Sequence, residues 1–226
     1  MRDNPIIQAV ALVSTLGAVG AMVIIGHGGF GPAPTREPHQ AAGAELARQA
    51  ISLLQPGGRI TVITRDTSLF PNPATDILVE SFQEELRARH VSIDAVEKLQ
   101  VDPLRLISVP PGDFQNWIHQ SAVGDVIVSF MGPPLLTEAQ WQPLGEIKPA
   151  IVAFCPGSGL QPVDYRPLFA HGRLRAAVAS RRDKTSPAVK PKNPLAWFDQ
   201  DFVVVTATNV DDFMAPPEKT SASASP

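Results

Sequence analysis

Strand-like and helix-like patterns alternate along residues 59–208, and this alternation limits the possible folds more than any other feature of the sequence. Apolar, β-branched runs predict strands at 59–64, 91–96, 125–130, 150–154, 174–180 and 202–208. Strands joined through helices favour βαβ units and a parallel sheet covered on both faces. The pattern predicts one α/β domain over residues 40–210, flavodoxin-like or Rossmann-like, with a mainly parallel sheet of about six strands.

Two of the intervening helices carry recognisable start signals. Asn72 followed by Pro73 is typical of an N-cap and the first helical position, so a helix is predicted from there to about residue 90. Thr137 and Gln140 have the spacing of a capping box before a short helix. An earlier helix, from residue 40, is expected to end at the Pro-Gly-Gly run of residues 56–58.

The amino-terminal residues 6–26 form an uncharged, largely apolar run. At 1.5 Å per residue the run spans about 30 Å, the thickness of the hydrocarbon core of a bilayer. We therefore expect residues 1–26 to be a transmembrane anchor; the alternatives are a cleaved signal peptide, whose apolar region is shorter, and a buried helix. Gly17, Gly20 and Ala21 could form a helix-packing face, or simply reflect how common small residues are in membrane helices.

The anchor leads to expectations about the rest of the chain. Residues 27–39, rich in Gly and Pro, are predicted to be a linker, and residues 211–226, without a core pattern, a disordered tail. A short leader before a large domain favours a single-pass protein of the inner (cytoplasmic) membrane, with its carboxyl-terminal domain periplasmic or extracellular, although the positive-inside bias is weak.

The stretch of residues 59–180 resembles one lobe of the type I periplasmic-binding-protein fold, as found in substrate-binding proteins of ABC transporters. The likeness lies in the order of RITVITRD, a helix ending in SFQEELRARH, VSIDAVEKL, GDVIVSFMGPP and KPAIVAF. The resemblance implies a ligand-binding lobe. Because those proteins close two lobes around a ligand and this chain has residues for one, a partner or a second copy would have to supply the other.

Polar and small residues follow three of the predicted strands. Ligands of doubly wound sheets bind beyond the carboxyl ends of the strands. The candidate ligand-binding residues there are Asp66, Thr67, Ser68, Met131, Gly132, Cys155, Gly157 and Ser158. The alternative is that these are ordinary turn residues, since Asp, Ser and Gly are common in turns.

Charge points to a second candidate region. The net charge of −3 argues against a general nucleic-acid binder. Residues 173–192, however, contain seven basic side chains against one acid, which suits contact with an acidic partner or anionic lipid headgroups. The candidate interaction surface comprises Arg173, Arg175, Arg181, Arg182, Lys184, Lys190 and Lys192. The alternative is a solvated, Pro-rich loop.

Catalytic and metal chemistry find little support in the sequence. A single cysteine excludes an internal disulfide and a Cys-rich zinc site, and the histidines lack metal-ligand spacing. Neither a dinucleotide fingerprint nor a Walker A sequence follows the first strand. Cys155 as a nucleophile would need a lowered pKa and a nearby base, and nothing in the sequence places a histidine beside it. We predict no catalytic residues, metal or cofactor.

These observations rank three hypotheses for function. The first is a membrane-anchored accessory or adaptor subunit that binds other proteins of a membrane assembly through its α/β domain. The alternative is a module that binds or senses a small-molecule solute at the strand ends. An enzyme using Cys155 comes third.

Overall fold

The computed structural model describes residues 35–100, 109–145, 149–157, 163–182 and 191–215. Their strands form one six-stranded sheet in the order β2-β1-β3-β4-β5-β6. The first five strands are parallel, and β6 runs antiparallel to β5. The strands are β1 Ile60–Arg65, β2 Ala95–Leu99, β3 Val126–Ser129, β4 Ala150–Cys155, β5 Ala176–Ser180 and β6 Phe202–Val205. The predicted α/β fold with a mainly parallel six-stranded sheet is confirmed.

Helices cover both faces of this sheet. They are α1 Arg36–Leu53, α2 Pro73–Ala88, α3 Pro111–Gln120, α4 Glu138–Trp141, a 3₁₀ turn Gln142–Leu144, α5 Arg166–Ala170, α6 Pro194–Asp201 and α7 Val210–Met214. Apolar side chains of α1, α2 and α6 form one core with the first face, and those of α3, α4, α5 and α7 form a second core with the other. The strands are therefore buried on both sides, as parallel strands usually are.

Side-chain caps fix where several helices begin. Asn72 accepts a hydrogen bond from the backbone N–H of Thr75 at 3.0 Å, with a proline in the first turn of α2, as the sequence predicted. Asn193 caps α6 in the same way through the N–H of Ala196 at 2.8 Å. Such caps satisfy backbone donors that the first turn of a helix leaves free.

Two predicted boundaries are corrected. Helix α1 begins at Arg36, so residues 36–39, assigned to the linker, are helical; Pro38 is tolerated because the first turn needs no donor from its nitrogen. Helix α7 includes residues 211–214 of the expected disordered tail. Its Phe213 stacks on Tyr165 with ring centroids 6.3 Å apart, so an aromatic contact holds this segment on the domain.

The predicted anchor is not addressed by this part of the chain. None of the helices in the described ranges is long and apolar enough to cross a membrane. The candidate anchor at residues 1–26, with Gly17, Gly20 and Ala21, lies outside those ranges, as do linker residues 27–34 and tail residues 216–226.

Candidate ligand-binding site

The direction in which strands are added to the sheet reverses at β1. Strand β2 lies on one side of β1, while β3 and all later strands lie on the other. At such a switch point the loops that leave the two central strands diverge, and a crevice opens beyond their carboxyl ends. Here the loop after β1 carries Asp66, Thr67 and Ser68, and the loop after β3 carries Met131 and Gly132. The structure therefore brings five of the predicted ligand-binding residues to one edge.

Hydrogen bonds shape the loop after β1. The carboxylate of Asp66 accepts the backbone N–H of Ser68 at 3.0 Å, and the N–H of Asp66 donates to the carbonyl of Leu99 at 2.7 Å. The Thr67 hydroxyl donates to the carboxylate of Asp76 at 2.8 Å. Hydrogen bonding from Ser68 lowers the pKa of Asp66 below its ordinary value, so this accessible carboxylate is an anionic acceptor at neutral pH.

Two polar atoms at the end of β1 lack a hydrogen-bond partner within the described residues. They are the Oγ1 of Thr64, which is almost fully buried, and the Nε of Arg65. Because side chains alternate along a strand, Thr64 faces the core under α1 and α2 while Arg65 faces the opposite core. Buried polar groups are normally paired, and the Nε1 of Trp141 and the Oε1 of Gln200 also lack a partner within the described residues.

The loop after β3 is held by its own backbone and side chains. The fully buried Ser129 accepts the backbone N–H of Met131 at 3.3 Å through its hydroxyl oxygen. Gly132 has φ +93°, in the left-handed region that glycine adopts without steric cost. The chain thus turns sharply as it leaves the sheet.

Apolar side chains flank the polar ones at this edge. Leu69 and Phe70 follow Ser68 and are 70% and 50% exposed, and Leu135, in the loop after β3, is 51% exposed. An aromatic ring beside polar groups is a common lining of ligand sites. The sequence candidates included neither these apolar residues nor Thr64. Thr64 could have been chosen because it is a polar residue at the end of an apolar strand.

Cys155 lies in the core rather than beyond the strand ends. It is buried in the second core and hydrogen-bonded to Tyr165. Burial raises the pKa of its thiol to about 12 although the hydrogen bond from Tyr165 acts in the opposite direction, so the thiol is protonated at neutral pH. Gly157 is exposed just beyond β4 with φ +70°, and Ser158 lies outside the described residues.

The basic segment is split between the two ends of strand β5. Arg173 and Arg175 precede β5, whereas Arg181 and Arg182 follow it. Arg173 is largely buried: its guanidinium makes a bidentate ion pair with Glu138 at 2.6 and 2.7 Å and lies 4.7 Å from the centre of the Trp141 ring. The guanidinium of Arg173 therefore makes its contacts within the domain, while Arg175 is exposed.

The basic residues beyond β5 also have partners in the domain. Arg182 donates to the carbonyl of Phe213 at 3.1 Å and lies over its ring, and Arg181 donates to the carbonyl of Asp199. Lys192 is exposed before α6; Lys184 and Lys190 fall outside the described ranges. A single continuous basic face across residues 173–182 is not formed, and the role of the segment in binding a partner stays a prediction.

In the described part of the chain, no group of three or more His, Cys, Asp or Glu side chains is arranged to hold a metal ion.

Comparisons with known proteins give a match in fold. No family model and no curated protein matches the sequence. The sugar-binding protein of a sugar ABC transporter from Bacillus halodurans matches with a TM-score of 0.50 and 16% identity, covering 77% of this chain and 64% of that protein. AraP, an arabinose-binding protein from Geobacillus stearothermophilus, matches with a TM-score of 0.49 and 16% identity, covering 78% and 63%. A periplasmic ribose ABC transporter protein from Conexibacter woesei matches with a TM-score of 0.49 and 13% identity, covering 79% of this chain and 60% of that protein.

At these identities the likeness concerns the fold alone. The domain has a periplasmic-binding-protein-like fold, which confirms the resemblance found along residues 59–180. The chain spans less than two thirds of the length of the proteins it matches.

Proposed function

We propose that this domain binds a small, polar solute at the carboxyl ends of β1 and β3. The observation that carries the proposal is the switch point of the sheet at β1, where the loops after β1 and β3 place Asp66, Thr67, Ser68, Met131 and Gly132 beyond the strand ends. A solute there would also lie near the guanidinium of Arg65, the last residue of β1, whose Nε has no hydrogen-bond partner within the described residues. The sequence alternative of a solute-binding module thus has more support than the adaptor role.

The chemistry at this edge favours a neutral polyhydroxyl compound, such as a monosaccharide. The carboxylate of Asp66 accepts hydrogen bonds and the guanidinium of Arg65 donates them, and sugar hydroxyls do both. The exposed ring of Phe70 offers an apolar surface for the C–H face of a sugar. The Bacillus halodurans protein of the same fold is described as sugar-binding, which supports this ligand class.

Calorimetric titration of the full chain with a panel of pentoses and hexoses tests the proposal. We expect one sugar to bind, and Phe70→Ala to weaken its affinity roughly tenfold, about 1.4 kcal/mol. Leu195→Ala is the matched control, because Leu195 is similarly exposed but lies at the start of α6. The absence of binding by every sugar, or an equal loss of affinity in both variants, would overturn the proposal.

A protein-binding role is the second candidate, and one observation favours it. Leu69, Phe70 and Leu135 expose apolar surface on neighbouring loops, as a contact with a partner lobe or another subunit would require. For this second candidate we propose that residues 6–26 anchor the chain in the inner membrane and that the loops with Leu69, Phe70 and Leu135 lie outside the cytoplasm. Co-purification from native membranes should then yield a partner protein that the Leu135→Ser variant loses and the Leu195→Ser variant retains. Isolation of the unchanged chain and of the Leu195→Ser variant only as monomers would contradict a protein-binding role.

A catalytic role is not proposed. The Bacillus halodurans protein that shares the fold is described as a sugar-binding protein. The thiol of Cys155, the one candidate nucleophile, is buried and protonated at neutral pH.

A further inference from the structure

The hydroxyl of Thr67 is held in one orientation by Asp76. Thr67 lies in the loop after β1, and Asp76 lies in the first turn of α2. The Thr67 hydroxyl donates to the Oδ1 of Asp76 at 2.8 Å. A threonine hydroxyl has a single proton to donate but can also accept, whereas an ionised carboxylate only accepts. The bond to Asp76 therefore occupies the proton of Thr67 and leaves its oxygen as an acceptor for any other molecule.

Backbone hydrogen bonds fix both ends of the loop that contains this pair. Asn72 accepts the N–H of Thr75 through its side chain and the N–H of Asp76 through its carbonyl, each at 3.0 Å. At the other end, the N–H of Asp66 donates to the carbonyl of Leu99 on β2 at 2.7 Å. Two side chains nine positions apart can therefore meet in a defined geometry.

The same loop offers a second acceptor to a solute. The carboxylate of Asp66 accepts the N–H of Ser68, and a carboxylate has further lone pairs that remain free for a ligand. Thr67 is half-buried and Asp76 is exposed, so a solute can reach this part of the loop. On this side of the proposed site, the side chains of Asp66 and Thr67 both present acceptors.

From this geometry we infer that Asp76 is a positioning residue for solute binding, which makes the loop after β1 select ligand hydroxyls that donate a hydrogen bond. The inference rests on the proposed function, because it concerns the same site. A sugar hydroxyl can donate to the Thr67 oxygen. A ligand group that only accepts would place two acceptors against each other, and a hydrogen-bonding group left without its partner lowers affinity.

Fluorinated sugars test the selection directly, because replacing a hydroxyl with fluorine removes the proton and changes the size of the group little. Calorimetric titration of the full chain would compare the tightest-binding sugar of the panel with each of its mono-deoxyfluoro derivatives. We expect fluorine at the carbon whose hydroxyl meets Thr67 to weaken binding roughly fivefold. Thr67→Val should abolish this penalty, and Thr67→Ser, which keeps the hydroxyl, should preserve it.

The role of Asp76 is tested by the same comparison in Asp76→Asn. An amide can donate to the Thr67 oxygen and release its proton for the ligand, so we expect the fluorine penalty to fall to about twofold or less. Glu84→Gln is the matched control, since Glu84 is an exposed acid on the same helix, and it should keep the full penalty. The affinity ratio of sugar to derivative is the informative quantity, because general destabilisation would weaken the binding of both compounds equally.

The possible outcomes separate this inference from the proposed function. If a sugar binds and its fluorine penalty is the same in Asp76→Asn as in the unchanged chain, the inference is overturned and the proposed function stands. If no sugar binds, the proposed function fails and the inference fails with it.

Discussion

The carboxylate of Asp125 holds Arg59 at two points. Its Oδ1 accepts the backbone N–H of Arg59 at 2.9 Å, and its Oδ2 lies 3.1 Å from the guanidinium Nη2. Oδ2 also accepts the N–H of Ala122 at 2.8 Å. Burial alone would raise the pKa of Asp125, but the hydrogen bonds from Ala122 and Arg59 outweigh it and hold the pKa below its ordinary value of 3.8. The two residues thus tie the start of β3 to the start of β1.

We expect Asp125→Asn to lower the free energy of unfolding by about 1–3 kcal/mol at pH 7, because donors near the buried carboxylate lose their acceptor. The pKa of Asp125 is depressed, so its charged form stabilises the fold above about pH 4 and this contribution fades as the pH falls below that value. Urea denaturation at pH 7 and pH 3 should show a smaller difference from wild type at pH 3. Glu84→Gln, an exposed control on α2, should have little effect at either pH; an undiminished loss at pH 3 would contradict the account.

Helices α1 and α2 are in close backbone contact at Gly43. A Cβ at this position would overlap the carbonyl oxygen of Leu78, which is backbone and cannot swing away. We expect Gly43→Ala to destabilise the fold by about 1–3 kcal/mol through forced separation of the helices. Gly112→Ala in α3 is the matched control, because a Cβ there meets nothing within 4 Å and alanine favours helix. Thermal unfolding, monitored by circular dichroism, measures the loss of stability in both variants. Equal unfolding temperatures for the two variants would contradict this close packing.

Arg173 and Arg175 are two residues apart and should respond differently to truncation. Arg173 packs on Trp141 and pairs with Glu138, whereas Arg175 is exposed. We expect Arg173→Ala to cost about 1–2 kcal/mol through lost stacking and packing, and Arg175→Ala to cost less than about 0.5 kcal/mol. Denaturant titration measures both, and equal losses would show that the two arginines are equivalent.

The thiol of Cys155 should be unreactive in the folded chain. Its pKa is raised from 9.0 to about 12, so the thiol of the unfolded chain ionises first as the pH rises. The free energy of unfolding should therefore decline between about pH 9 and pH 12, and Cys155→Ala should remove part of that decline. Labelling with a thiol reagent at pH 8 should be slow in buffer and rapid in urea; fast labelling of the native chain would contradict the burial.

Local patterns predicted much of the fold but not every boundary or direction. The apolar strand β3 and the Asn72 cap were predicted because they depend on adjacent residues. Strand β2 begins at Ala95 rather than at residue 91, because Val91 and Ile93 pack on the core from an irregular segment. The antiparallel direction of β6 was not predicted, since an apolar run has the same composition in either direction.

Site residues were predicted correctly where their position follows from the topology of the sheet. They were predicted wrongly where their burial depends on contacts with residues distant in the sequence. Asp66 and Gly132 were found because ligands of such sheets bind at the carboxyl ends of strands. Cys155 was misplaced because β4 continues one residue further than predicted, and its alternation carries Cys155 into the core with Ile151 and Ala153. The burial of Arg173 depends on Glu138, 35 positions away, which local patterns do not reveal.

Hydrogen–deuterium exchange of the full chain, with and without the tightest-binding sugar of the panel, tests the location of the proposed site most directly. A ligand that bridges the loops after β1 and β3 should slow exchange in peptides covering residues 65–72 and 130–136 and leave those of α1 and α5 unchanged. Protection confined to other elements would contradict a solute site at this edge of the sheet.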